Sequence, residues 1–378
     1  MLYEFVCPCH FGTEAVLKNE IINLGYEISK VEDGKVTFKG DESAIARANI
    51  FLRTTERVLL KVGEFHAETY EDLFVGTKSI PWEMYFPKNA KFWVTKANSV
   101  RSKLFSPSDI QSIMKKAMVE RMKLNYHMDW FPEDGEAYPV RVSIVKDEVL
   151  VGIDLSGESL HKRGYRKFTA KAPITETLAA ALILLSPWKA DRPLIDPFCG
   201  SGTFPIEAAM IGMNMAPGMN RTFISQNFKN LCDKKIWEDA FLEAKSLVKP
   251  DTELSISGFD LDRDMIYASR ENAKLAGVEN KIHFQARDIS LLSSPKKYGF
   301  IITNPPYGER LEEKAALPEL YGKIGKTMEN IDTWSYFLIT SYEDAEKYIG
   351  KKATKNRKIY NGMIKTYYYQ FMGPKPKF

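Results

Sequence analysis

Asn304-Pro-Pro-Tyr307 follows the apolar run Phe300–Thr303, so two prolines and an aromatic ring stand where a strand must stop pairing. Such a tetrad suits a poor nucleophile. The lone pair of an exocyclic amine on a nucleobase is delocalised into the ring. The Asn304 side-chain oxygen and the Pro305 carbonyl can both accept hydrogen bonds from that NH2. Two acceptors hold the nitrogen, favour pyramidal geometry and free its lone pair toward an electrophile. Proline fixes the carbonyl direction, because φ is locked and no competing N–H is present. Pro306 continues the constraint, and Tyr307 offers a face for an extruded base. With an electrophile already activated, in-line positioning supplies most of the rate and no general base is required.

A second stretch, Asp196-Pro-Phe-Cys-Gly-Ser-Gly-Thr203, joins a short buried strand to a helix. In an open α/β sheet, ligands bind beyond the carboxyl ends of the strands. Gly200 and Gly202 let backbone approach a ligand, having no Cβ to clash. A phosphate loop would need Gly-Lys-Ser/Thr at its end, and a dinucleotide fingerprint a third glycine; neither is present. A small zwitterion such as methionine fits the loop better. The next strand ends in Gly258-Phe-Asp-Leu-Asp262 and the third in Ala286-Arg-Asp-Ile289. Asp260 is placed to accept ribose hydroxyls and Asp288 an adenine amino group, with Leu261 or Ile289 packing on the ring. Asp262 reads as a helix cap.

These residues need a doubly wound domain to hold them. From residue 173 onward, strands and helices alternate: a helix over 175–185, strands at 194–195, 254–259, 282–286, 300–303 and 336–340, and helices over 203–211, 262–276 and 317–328. A hairpin about Asn361-Gly362 follows. The expected fold is α/β: a Rossmann-like, mostly parallel seven-stranded sheet with an antiparallel C-terminal hairpin. Residues 1–65 read as a small α+β domain, with a helix over 14–24 stopped by Gly25, a hairpin about Asp33-Gly34 and a helix over 44–52. Residues 66–155 form another unit, containing the helix 108–124, and 156–172 a linker. Nine Lys or Arg against two acids mark 88–123, and nine against one mark 346–378. The linker adds His161, Lys162, Arg163, Arg166, Lys167 and Lys171. Each cluster is either a solvated face or a grip on a phosphate backbone.

The 378 residues carry a net charge of +4, so the distribution of charge outweighs its sum. Four cysteines argue against a disulfide scaffold. Cys7, Cys9 and His10 have no second ligand pair for a structural Zn²⁺, so they read as packing and no metal is expected. Cys199 has no activating base evident. No stretch approaches the roughly 20 apolar residues of a membrane span, and no leader-like segment opens the chain. A soluble cytoplasmic protein is expected.

The loop 196–203 and tetrad 304–307, 108 residues apart (304 minus 196), resemble class I amino-methyltransferases. Leu160-His-Lys-Arg-Gly-Tyr-Arg166, Ala172-Pro173, Leu178-Ala-Ala180, Ile206-Glu-Ala-Ala209, Asn214 with Ala216-Pro-Gly218, and Gly308-Glu-Arg-Leu311 narrow this to THUMP-domain RNA methyltransferases. The resemblance is closest to the guanine-N2 half of the bacterial large-subunit rRNA enzyme. It is dense from about 160 to 325, present around Cys9–Glu14 and loose over 66–155. It implies ferredoxin-like and THUMP domains before the catalytic one, and S-adenosylmethionine as cofactor with S-adenosylhomocysteine as product. It also implies RNA, most naturally rRNA, as partner. By position, Asp196, Phe198, Cys199, Gly200, Ser201, Gly202 and Thr203 would line the cofactor, with Asp260 and Leu261 at the ribose and Asp288 and Ile289 at the adenine. Thr175 would touch the methionine end, and Asn304 to Tyr307 would hold the base. The residues alone leave adenine N6 or a protein amide open as acceptor.

Overall fold

The computed structural model describes residues 2–168, 174–308 and 311–376, without the side chains of 311–313. Lys171, Ala172-Pro173, Glu309 and Arg310, named above, lie outside the described residues. The first half runs β1 (Tyr3–Pro8), α1 (Glu14–Asn23), β2 (Glu27–Glu32), β3 (Lys35–Gly40), α2 (Ser43–Phe51), β4 (Leu59–His66), α3 (Tyr70–Ser79), β5 (Lys91–Val100), α4 (Pro107–Tyr126), β6 (Ala137–Val145) and β7 (Glu148–Asp154). The second half runs α5 (Glu176–Leu185), β8 (Leu194–Asp196), α6 (Thr203–Gly212), α7 (Lys234–Ser246), β9 (Ile256–Asp260), α8 (Arg263–Leu275), β10 (Ile282–Ala286), β11 (Phe300–Thr303), α9 (Leu311–Asn330), β12 (Ser335–Thr340), α10 (Ala345–Ile349), β13 (Lys355–Asn361) and β14 (Ile364–Phe371).

Among the described residues the strands form two seven-stranded sheets, ordered β2-β3-β1-β4-β7-β6-β5 and β10-β9-β8-β11-β12-β14-β13. In the second, β10 through β12 are parallel and β14 runs antiparallel to β12, as expected for residues 173 onward. Its central strands β8, β11 and β12 are buried along their whole length, because helices cover both faces. Strand order reverses at β8, which opens a crevice between the carboxyl ends of β8 and β11.

The first sheet runs through both N-terminal units. β4 pairs with β1 on one side and β7 on the other, so residues 1–65 and 66–155 share one continuous sheet. The second half of the chain also contributes to that layer. Phe223, Phe228 and Trp237 join the core of the first half. Phe228 stacks on Tyr138 with ring centroids 4.2 Å apart. The helix α7, which carries no expectation above, brings Glu243 to Arg47 through two hydrogen bonds of 2.8 Å.

The linker is no solvated tether where it is described. Arg163 is buried, donating to Leu160 O at 2.7 Å and Arg53 O at 2.5 Å, and lies 3.5 Å from the Glu207 carboxylate on α6. Arg166 pairs with Glu176 and donates to Ile174 O at 2.8 Å. The Arg163 guanidinium joins the two halves of the chain, and that of Arg166 ties the linker to the start of α5.

Helix boundaries follow their caps. The Asp262 carboxylate accepts from Asp264 N at 2.8 Å and starts α8, and Gly277, at φ +73°, follows its end. The hairpin turn is shifted by one residue from expectation. Asn361 pairs with Ile364, so the two-residue turn is Gly362-Met363, with Gly362 at φ +60°. Glycine at the first central position suits the type II′ geometry that two-residue hairpins favour. Helix α9 begins at Leu311 and passes through Pro318, earlier than expected.

Candidate active site at the strand tips

The crevice between β8 and β11 gathers the loop and the tetrad. Asp196 ends β8, almost fully buried, and its Oδ1 accepts from Phe198 N at 3.1 Å and from the Thr303 hydroxyl at 2.5 Å. Burial pushes the Asp196 carboxyl up to about 7; these two hydrogen bonds oppose the rise and the nearby Asp260 charge adds to it. Thr303 ends β11 and directly precedes Asn304.

Asp260, at the tip of β9, holds the loop from the other side. Its Oδ2 accepts from Gly200 N at 2.9 Å and its Oδ1 from Asp262 N at 2.9 Å. Half-buried, it too is pushed above the usual carboxylate range, chiefly by burial. The loop backbone is further tied down by Cys199 N donating to Phe259 O at 2.8 Å. Burial drives the Cys199 thiol far up, which removes it as a nucleophile.

The two loop glycines do different work. Gly202, at φ +89°, precedes α6, and a Cβ there would come within 3.0 Å of Ser269 Cβ and 3.3 Å of the Phe284 ring. Gly200, at φ +50°, would point a Cβ into open space. The first is needed for packing; the second leaves room for a ligand against the backbone. The Ser201 hydroxyl is buried without a hydrogen-bond partner among the described residues.

At the tip of β10, Asp288 caps a short 3₁₀ turn, its Oδ1 accepting from Ser290 N at 2.7 Å. The bonds from Ser290 hold its pKa down. The two apolar candidates separate: Leu261 is 68% exposed at the strand tip, whereas Ile289 is 6% exposed within the core under α9. Leu261 is the one with free surface. Thr175, at the N-cap of α5, lies apart from the loop contacts; its hydroxyl meets His10 Nε2 at 3.3 Å.

In the tetrad, Asn304 Oδ1 is buried and has no hydrogen-bond partner among the described residues. A buried acceptor left unmade costs about 1–3 kcal/mol, so its retention points to a donor that arrives with a ligand. Pro305 is buried, and the Pro306 carbonyl accepts from the Tyr321 hydroxyl at 3.4 Å. Tyr307 lines a cleft of about 460 Å³ with Lys314, Leu317, Tyr342 and Ile364. Its hydroxyl accepts from Asn361 Nδ2 at 3.0 Å.

Two further residues belong to this architecture: Asn272, which lies in no motif, and Asn361, which reads in the sequence only as part of a hairpin turn. Asn272 of α8 is fully buried; its Nδ2 donates to Ser201 O at 3.0 Å and Phe168 O at 2.9 Å, and its Oδ1 accepts from Lys167 N and Phe168 N. It ties the cofactor loop to the linker. Asn361 ties the tetrad to the hairpin. Their partners are 71 and 54 residues away, so no local signal could have revealed them.

Comparison with known proteins agrees with this geometry. A family model described as RMKL-like, methyltransferase domain, matches residues 163–370, more than half of the chain. The chain belongs to that family. Models of the RlmL ferredoxin-like domain and the THUMP domain match residues 4–59 and 67–154 of this RMKL-like methyltransferase. It is 46% identical over 371 residues to a Bacillus subtilis (strain 168) protein named "Putative RNA methyltransferase YpsC", covering 98% of this chain and 96% of that one. Among solved structures, one described as "a possible methylase from Clostridium difficile 630" superposes with a TM-score of 0.97 at 52% identity, with both chains fully covered. SMU.472, described as "a putative methyltransferase complexed with SAH" (S-adenosylhomocysteine), superposes at 0.93 with 43% identity, covering 100% of this chain and 99% of that one. S-adenosylmethionine is therefore the cofactor of this RMKL-like methyltransferase, and the open backbone at Gly200 and the unpartnered Ser201 hydroxyl fit it.

Proposed function

We propose that the protein transfers a methyl group from S-adenosylmethionine to the exocyclic amine of a base in RNA, specifically N2 of a guanosine in large-subunit rRNA. The observation that carries the amine acceptor is the buried, unpartnered Oδ1 of Asn304. Asp196 and the backbone of 198–203 would hold the methionine end, with Thr175 at its border. Asp260 and Leu261 would hold the ribose, and Asp288 with the edge of Ile289 the adenine. The cofactor supplies a methyl already activated by a sulfonium charge. The protein's own part is to hold the amine nitrogen between Asn304 Oδ1 and the Pro305 carbonyl, with the base against Tyr307, so that its lone pair faces the methyl.

RNA is supported by the THUMP match over 67–154 and by the name of the Bacillus relative. Guanine N2 is supported by the resemblance of Leu160–Arg166 and Gly308–Leu311 to the rRNA guanine-N2 enzymes. Part of the basic charge over 88–123 is already paired, since Lys103, Lys115, Arg121 and Lys123 contact Glu68, Glu133, Glu83 and Glu120. Capture of RNA thus rests on the remaining cations of that segment.

Mass spectrometry of nucleosides from the rRNA of a deletion strain tests this. Loss of N2-methylguanosine from the large-subunit rRNA is expected. Loss of N6-methyladenosine instead would overturn the base, and a loss confined to tRNA would overturn the RNA class.

A further inference from the structure

We infer that Asn361, at the tip of the β13–β14 hairpin, is a positioning residue for Tyr307, and that the N-terminal loop 10–12 holds that hairpin in place. This rests on the reading of Tyr307 as the face for the target base.

Asn361 is an unusual strand residue with a specific occupation. Asparagine is depleted in strands and favoured in turns. Here the turn is made by Gly362-Met363, and Asn361 stays in the ladder opposite Ile364. Its amide is therefore not engaged in making the turn; it donates to the Tyr307 hydroxyl at 3.0 Å. The backbone of Tyr307 is constrained from behind by Pro305 and Pro306, but a tyrosine ring still swings about its side-chain torsions. The Asn361 amide anchors the far end of the ring before a base arrives, which is how preorganisation lowers the cost of binding.

The anchor is only as firm as the hairpin. β13 is the edge strand of its sheet, paired with β14 alone among the described residues, and most of its side chains are exposed. What covers it is the loop between β1 and α1. Arg357 Nη1 donates to Gly12 O at 2.9 Å, and His10 Nδ1 lies 3.3 Å from Tyr360 O. The Phe11 ring meets the Tyr360 ring edge-on at 6.2 Å. Gly12 sits so close that a Cβ would come within 2.9 Å of Lys358 O. The loop is itself braced, because the Glu14 carboxylate accepts from Gly12 N at 3.0 Å and from Gly34 N at 2.9 Å. The first domain thereby reaches the active site through backbone and side-chain contacts, apart from any capture of RNA.

A double-mutant cycle tests the assignment, read as kcat on one RNA substrate with cofactor affinity measured beside it. Asn361→Ala and Tyr307→Phe should each lower kcat about fivefold, as loss of a hydrogen bond of about 1 kcal/mol does. The double variant should be no slower than either, with cofactor affinity unchanged throughout. Multiplying effects, or an unaffected Asn361→Ala, would overturn the role of Asn361. Arg357→Ala should slow the wild-type background and leave Tyr307→Phe no slower; a drop that persists in Tyr307→Phe would overturn the role of the N-terminal loop. Full activity in Tyr307→Ala would instead count against the tetrad as the base site, so the two failures are told apart.

Discussion

The Thr303 hydroxyl donates to the Asp196 carboxylate at 2.5 Å, and both side chains are almost fully buried. Thr303 is the last residue of β11 and Asp196 the last of β8, so one hydrogen bond joins the strand bearing the tetrad to the strand bearing the cofactor loop. That bond opposes the desolvation that drives the Asp196 pKa upward. Thr303→Val keeps the shape and removes the donor. Asp196 should then titrate higher than about 7 and be more fully protonated at pH 7. Calorimetric affinity for S-adenosylmethionine should fall at pH 7 and recover by about pH 9, whereas Thr303→Ser should behave as wild type. An affinity lowered equally at every pH would mean that Thr303 acts through packing.

In the unaltered protein the same titration predicts a pH profile. With Asp196 near 7, the ionised form that would attract a cationic ligand is lost as pH falls through 7. The apparent dissociation constant of the cofactor should rise about tenfold for each pH unit below that point, with proton release on binding at pH 6. Stability runs the other way. Folding raises this pKa from the usual carboxylate value near 4, so the native state binds the extra proton between about 4 and 7. The contribution of Asp196 to stability is then greatest at acid pH and falls as pH rises to 7. Asp196→Asn should raise the melting temperature at pH 8 while weakening cofactor binding, and a lower melting temperature there would contradict the sign.

Much of this site is carried by local signals. The loop 196–203, the strand tips at 260 and 288, and the cap at Asp262 are each specified within a few residues, by glycine conformation, proline geometry or a side chain bonding its own backbone. What stayed hidden depends on distant partners. β4 looks like the end of one domain until β1 and β7 pair on its two sides. Arg163 and Arg166 look like phosphate-binding charges until Glu207 and Glu176 arrive from α6 and α5. The end of β9 exposes Leu261 whereas the end of β10 leaves Ile289 in the core, where it packs with residues of α9.

For the tetrad the expectation is a separation of chemistry from cofactor binding. Asn304→Ala removes the buried acceptor and should abolish methyl transfer, a loss of at least about 100-fold in kcat by analogy with deletion of one preorganised polar group. Affinity for S-adenosylmethionine should change by less than about threefold, since Asn304 Oδ1 bonds nothing in the cofactor loop among the described residues. Parallel loss of both would place Asn304 at the cofactor instead of the base.

The junction between the halves gives a prediction about stability. Arg163 is 3% exposed and Glu207 0%, their charges 3.5 Å apart, and Tyr165 adds a hydroxyl donating to Glu207 at 3.0 Å. Breaking a buried pair from one side leaves an uncompensated charge and costs about 3–5 kcal/mol. Arg163→Ala should lose that much in denaturant unfolding, and also frees the carbonyls of Arg53 and Leu160 that the guanidinium bridges. Replacing both partners, Arg163→Met with Glu207→Leu, should recover part of the loss, because the pair leaves together; buried Arg53, which also sits in the field of Glu207, then keeps Glu20 as its counter-charge. Recovery in the double variant with an N-terminal half that melts separately would assign the bridge to Arg53 O as the element coupling the domains. A single cooperative transition would assign that coupling to the apolar contacts of Phe223, Phe228 and Trp237.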